Sequence, residues 1–296
     1  MRILLMPFWN AEQRRPRTFW RLLLFFLTLI ILIYAAVRFL HLGSDLLSSS
    51  LVNAGSSLLA AWIAARVWDR RPFAEYGFHL NRGWWRDLGL GFLLGALLMS
   101  LIFLTEWLLG WVRVVGVFHT YDSQGSFWPN WAKGLLMFIA VGLAEELISR
   151  GYLIRNLAEG LRFPPLGQRG GVVAAWLLSS TFFGLLHLGN PNVTLFSTVN
   201  LIVAGLFLGL AYILTDELAL PIGLHIAWNF FQGNVFGFPV SGLAGLYASL
   251  LFTQETGPDV WTGGAFGPEG GLLGLLAMLF GMGLLVWVKG PRLMDR

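Results

Sequence analysis

Apolar runs of about 20 residues recur along the whole chain, and each is long enough to cross a hydrocarbon core of about 30 Å as a helix. "LLLFFLTLIILIYAAV", from Leu22 to Val37, is one of them. Spans are predicted at 18-40, 48-68, 88-112, 134-157, 174-190, 195-214, 217-236 and 270-288. A lipid-exposed backbone must satisfy its own hydrogen bonds, which leaves helices as the only reading of such runs. The expectation is therefore an all-α polytopic membrane protein, with about eight transmembrane helices in one membrane-embedded domain, 1-296. With 56% hydrophobic and 12% charged residues, an ordinary soluble domain is excluded.

The basic residues sort by side. Arg2, Arg14, Arg15, Arg17 and Arg21 precede the first span, and Arg66, Arg70, Arg71, Arg82 and Arg86 lie between the second and third. Arg155, Arg162 and Arg169 surround the next connection on that side, and Lys289, Arg292 and Arg296 follow the last span; the opposite side holds Arg38, Arg113 and Lys133. An excess of Lys and Arg marks cytoplasmic loops, so both termini are expected in the cytoplasm. The net charge of +4 is accounted for by this topology and does not point to nucleic acid. The first run is longer than a signal-peptide core and lacks a clear small-x-small cleavage site, so it is read as a retained span. With two lysines against 14 tryptophans and many arginines, the composition suggests a GC-rich bacterial genome and hence a bacterial inner membrane. The Gly- and Pro-rich segment 237-269 reads as an acidic outer loop, with an interfacial helix expected through "GLAGLYASLLF", Gly242 to Phe252.

Zero cysteines exclude disulfides, thiolate metal sites and a cysteine nucleophile. The chemistry must come from polar groups inside the spans. Burying one charge there costs at least about 2.5 to 3.5 kcal/mol, so each such group needs a partner or a task. Glu145, Glu146 and Arg150 lie in the fourth span, His187 in the fifth, and His225 and Asn229 in the seventh. Glu146 and Arg150 are one turn apart and read as an ion pair, most simply a structural clamp. Glu145 is turned about 100° away and has no partner on its own helix. His225 and Asn229 again share a face, and Phe183 lies one turn before His187. Taken singly, either histidine is as readily a packing residue, and Asn229 more readily helix-to-helix glue. At about 12 or 13 residues from the arginine-rich end, Glu145, His187 and Asn229 are all expected roughly 18 to 20 Å deep, in one cavity near the bilayer midplane.

"EELISR", "FGLLH" and "HIAWN" match, in order, the E-E-x-x-x-R, F-x-x-x-H and H-x-x-x-N motifs of the CAAX protease and bacteriocin-processing family. That family's members resemble the type II CAAX prenyl endopeptidases. "SRGYL", "HLGNP", "TDELALPIGLHIAWNF" and "GWWRDLGLGFLLGALL" are similar to it as well, and the similarity is dense over 76-235. The resemblance implies an intramembrane peptidase acting on a membrane-associated peptide or protein among membrane lipids. It assigns Glu145 and His187 to activation of water and His225 with Asn229 to the oxyanion; Glu146, Arg150 and Phe183 support them. It favours a glutamate-dependent site without a metal. Zinc stays open as an alternative, with Glu145, His187 and His225 as ligands, although H-E-x-x-H is absent. A non-proteolytic scaffold or immunity partner, and a proton-coupled transporter, are the competing readings. The absence of internal repeats argues against the transporter.

Overall fold

The structure, a computed structural model, describes residues 8–121, 125–164 and 166–290. Arg2, Arg292 and Arg296, counted in the charge asymmetry, lie outside the described residues. The chain opens with two short antiparallel strands, β1 (Trp9–Asn10) and β2 (Arg15–Pro16), followed by α1 (Thr18–Leu40), α2 (Leu46–Val67) and α3 (Arg82–Leu108). A strand, β3 (Val112–Thr120), leads into α4 (Phe127–Glu146), which continues as a π-helix, Leu147–Ile154, and then α5 (Arg155–Gly160). Next come α6 (Gly167–Leu186), α7 (Leu195–Thr215) and α8 (Ala219–Phe230), the last extended by a π-helical turn, Phe231–Val235. β4 (Ala248–Glu255), α9 (Asp259–Thr262) and α10 (Leu272–Lys289) complete the order.

The fold is mostly helical, and six helices, α1, α2, α3, α6, α7 and α10, are long and apolar enough to cross a membrane. The protein is a multi-pass membrane protein. The other two expected spans, 134-157 and 217-236, are helical but do not join this set. α8 is only 12 residues long before its π turn, and the helix of α4 carries the charged residues of the site. The helix expected through Gly242 to Phe252 is corrected: the chain there enters β4, which pairs antiparallel with β3 from Val112↔Glu255 to Thr120↔Ala248. β3 is rich in valine, which suits a pleated surface, and the predicted third span had absorbed its first residue.

Helix starts are set locally. Asp45 with Ser48 forms a capping box for α2, and Thr194 with Ser197 does so for α7, satisfying amides that the first turn leaves open. Close packing then depends on glycine. A Cβ at Gly91 would lie 2.1 Å from the Leu220 carbonyl oxygen, and one at Gly223 would lie 2.1 Å from that of Leu88. Their absence lets the backbones of α3 and α8 touch, which is how the short α8 is gripped in the bundle interior.

Hydrogen bonds identify the two ends of the bundle. At one end Arg15, Arg21 and Arg71 converge on Glu159, Arg155 pairs with Asp216 at 2.8 Å, and Lys289 pairs with Asp87 at 2.8 Å. This is the arginine-rich end. At the other end the Leu47 amide donates to the Tyr247 hydroxyl at 2.7 Å, Asn190 Nδ2 to the Ser241 carbonyl at 2.9 Å, and Trp131 Nε1 to the Asn234 carbonyl at 2.9 Å. The segment from Phe236 to Gly271 folds over that second end.

Candidate active site

The first site residues sit where α4 turns into its π-helix. A π segment adds a residue to a turn and shifts every following side chain around the axis, a distortion common at functional sites. Ser179 on α6 uses the altered backbone, its hydroxyl donating to the Ser149 carbonyl at 2.6 Å. Glu146 is fully buried. Its Oε1 accepts from Arg150 Nη1 at 2.8 Å and from His225 Nδ1 at 2.8 Å. The Glu146–Arg150 pair is formed, and Glu146 does more than clamp a helix: it also orients a histidine on α8. Arg150, equally buried, donates to the Gly205 carbonyl at 3.2 Å and lies over the Phe183 ring, 4.4 Å from its centre. Glu145 differs from its neighbour in being open, with its side chain 29% exposed into a cavity.

His187 caps the C-terminal end of α6. Its Nδ1 is 2.8 Å from the Phe183 carbonyl oxygen, which only accepts, so Nδ1 carries the proton and Nε2 is left with its lone pair. The start expected for its helix is corrected. α6 begins at Gly167, seven residues before the predicted 174, so His187 stands at the helix end remote from the arginine-rich side. Phe183 joins the parts: its ring centre is 4.9 Å from that of His187 and 6.1 Å from that of His225, with Arg150 against its face.

His225 and Asn229 lie one turn apart on α8 and both line the cavity. Because the Glu146 carboxylate only accepts, the Nδ1 of His225 is the protonated nitrogen, and Nε2 points toward Glu145, 3.9 Å from its Oε2. That distance is beyond a hydrogen bond and leaves room for a small group near both. Glu145, His187, His225 and Asn229 thus line one cavity of about 540 Å³.

The sequence reading missed the cavity's roof. Val240, Ser241, Leu243, Leu246 and Glu269, all from the connection between α8 and α10, line it together with the histidines. Glu269 is buried, and burial pushes its carboxyl up to about 7. Its carboxylate accepts from the Ser241 hydroxyl at 3.2 Å and from the Gln232 amide, tying the roof to the end of the helix that bears Asn229. The sequence carries no signal for this, because a glutamate among glycines in an outer loop reads as solvated. Among the described residues no three His, Asp or Glu side chains are grouped so as to hold a metal ion. Glu145, His187 and His225 do not form such a set.

No curated protein and no solved structure matches this chain. One family model does, and it covers residues 126–231, a narrower stretch than the 76-235 in which the sequence resembles the family. All seven residues of the constellation, from Glu145 to Asn229, fall inside the match, whereas the roof falls outside it. The segment that bears these residues is thus similar to the Rce1-like proteins, described as type II CAAX prenyl endopeptidases.

Proposed function

We propose that the protein is an intramembrane endopeptidase, hydrolysing a peptide bond of a membrane-associated substrate with water activated by Glu145 and His187. The observation that carries this reading is the arrangement of three separate helices around one cavity. They present an open carboxylate, a histidine whose Nε2 is free to accept, and a second histidine fixed by a buried carboxylate. Glu145 takes a proton from a water positioned with the help of His187 Nε2, and the water oxygen bonds to the scissile carbonyl carbon. His225 Nε2 and the Asn229 amide stabilise the oxyanion that forms. Because Nδ1 of His225 already donates to Glu146, a second donation from Nε2 requires the doubly protonated ring. The intermediate collapses as the C–N bond breaks and Glu145 returns its proton to the leaving amine. No metal takes part in this scheme.

The same reading places α4 with its continuation and α8 with its π turn as the two polar members of an eight-helix bundle. The other six members are the apolar helices long enough to span a membrane. On this reading both termini lie in the cytoplasm, which the arginine distribution supports, and the membrane is a bacterial inner membrane. The deciding experiment uses purified protein in lipid with a membrane-anchored reporter peptide. Glu145→Gln keeps the shape but removes the base, and is expected to abolish cleavage while the protein stays folded. Wild-type activity is expected to survive stripping of metals by a strong chelator. Cleavage by Glu145→Gln, or activity lost on chelation and restored by Zn²⁺, refutes the glutamate mechanism.

A further inference from the structure

His187 and Asn229 sit at the ends of two different helices, and the groups that hold those ends come from the roof. His187 is the C-cap of α6, and Asn229 is one residue short of Phe230, where α8 passes into its π turn. Helix ends carry unsatisfied backbone groups and fray, so a side chain there keeps a set position only where something beyond the helix fixes it.

On the α6 side the chain turns immediately after His187. The Asn190 amide donates to the His187 carbonyl at 3.0 Å, and Asn190 Nδ2 donates to the Ser241 carbonyl at 2.9 Å. The turn lies directly against the roof. Gly242 has φ +84°, and a Cβ there would fall on the Pro191 carbonyl oxygen, so only glycine fits this approach. Ser241, the residue before it, holds a left-handed φ of +48°. A residue other than glycine keeps that conformation where its surroundings fix it. Glu269 does so, accepting from both the Ser241 amide and the Ser241 hydroxyl.

On the α8 side the same carboxylate accepts from Gln232 in the π turn, three residues after Asn229. Gln232 is fully buried, and its Nε2 also donates to the Pro239 carbonyl. Both partners are acceptors, so the amide nitrogen must face them. Gly267, at φ +109°, leaves the space for this contact: a Cβ there would meet the Pro239 carbonyl oxygen and crowd Gln232 Nε2 and Glu269 Oε2. The groups bonded to the Glu269 side chain are thus donors, one set tied to the end of α6 and the other in the continuation of α8. A carboxylate accepts on both oxygens, and its charge strengthens each bond.

We propose that Glu269 is a positioning residue of the site: its carboxylate ties the end of α6 that bears His187 to the turn that follows Asn229, and so sets the spacing between the water-activating and oxyanion sides of the cavity. The role in hydrolysis rests on the peptidase reading; the tie itself does not. Gln232, Ser241 and Glu269 lie outside the segment 126–231 that matches the family model, so that similarity assigns them no role.

Two variants cut the tie at different points. Glu269→Gln keeps the size but turns an amide NH2 toward either Gln232 or Ser241, donor against donor. Turning Gln232 over to meet it would set its Oε1 against the Pro239 carbonyl. Asn190→Ala removes the bond to Ser241 at a part-buried position, where folding is less at stake. The full-length proteins in lipid are assayed with the membrane-anchored reporter peptide and by hydrogen–deuterium exchange. Each variant is expected to lower kcat per folded protein by about 10 to 100-fold with KM changed less than about threefold, because the reacting groups shift while the apolar walls of the cavity do not. The double variant is expected to be no slower than the slower single one, since both break one link. Exchange is expected to rise at 187–192 in both variants and at 231–238 in Glu269→Gln, with α1 unchanged. Where Glu269→Gln yields no folded protein, Asn190→Ala decides by the same kcat and exchange criteria. A kcat within about twofold of wild type, or losses that multiply in the double variant, overturn the positioning role. Unchanged exchange in these segments overturns the tie. A wild-type protein that does not cleave, with exchange raised as expected in the variants, sinks the peptidase reading and the catalytic role with it, and leaves the tie standing.

Discussion

Arg150→Ala tests whether the buried ion pair is a clamp, an orienting device for catalysis, or both. The substitution removes three contacts at once: the 2.8 Å bond to Glu146, the 3.2 Å bond to the Gly205 carbonyl and the stacking over Phe183. It also strands Glu146, which is fully buried and keeps only His225 as a partner. Removing one member of a buried pair costs about 3 to 5 kcal/mol, a large share of the roughly 5 to 15 kcal/mol that holds a typical protein folded. At about 2 to 4 °C per kcal/mol, the unfolding midpoint should fall by on the order of 10 °C, read by thermal unfolding of the detergent-solubilised protein. The informative comparison is the double variant Glu146→Gln with Arg150→Met. It removes both charges, so much of the lost stability should return. Activity should not, because a neutral amide no longer holds the Nδ1 proton of His225 as the carboxylate did. An Arg150→Ala protein as stable as wild type refutes the burial argument. A double variant that recovers cleavage along with stability refutes the role given to Glu146 in orienting His225.

Asn229→Ala should lower the rate of cleavage by about 10² to 10³ while leaving stability nearly unchanged, because one oxyanion donor is lost from a cavity wall. A rate within a few-fold of wild type in single-turnover assays removes Asn229 from the oxyanion site. Gly91→Ala places a methyl group where only 2.1 Å separates the Cβ position from the Leu220 carbonyl oxygen, so α3 and α8 must part. A loss of about 1 to 3 kcal/mol is expected in unfolding measurements; unchanged stability contradicts the close approach.

Much of the candidate site was legible in the sequence because charge inside a membrane is so costly that each instance must have a reason. Glu145, Glu146, Arg150, His187, His225 and Asn229 stand out against their apolar surroundings, and the one-turn spacings of Glu146 with Arg150 and of His225 with Asn229 are read directly from helical periodicity. The second role of Glu146 was hidden, since nothing in its spacing links it to a histidine 79 residues away. The π segments after Glu146 and after Phe230 were hidden too. They arise from how neighbouring helices take up backbone groups, as Ser179 does with the Ser149 carbonyl, and no local propensity announces them.

The sequence by itself determined that the chain is helical and membrane-embedded, which end of the bundle carries the arginines, and which polar residues stand in the spans. These follow from transfer free energies and helical period, which are properties of short stretches. Tertiary structure alone decided that α8 is held by backbone contact with α3, that β3 and β4 pair across more than 100 intervening residues, and that Glu269 closes the cavity from above. The physical reason is the same in each case. A glycine, a valine-rich run or a loop glutamate has several low-energy uses, and only the partner that arrives from elsewhere in the chain selects among them.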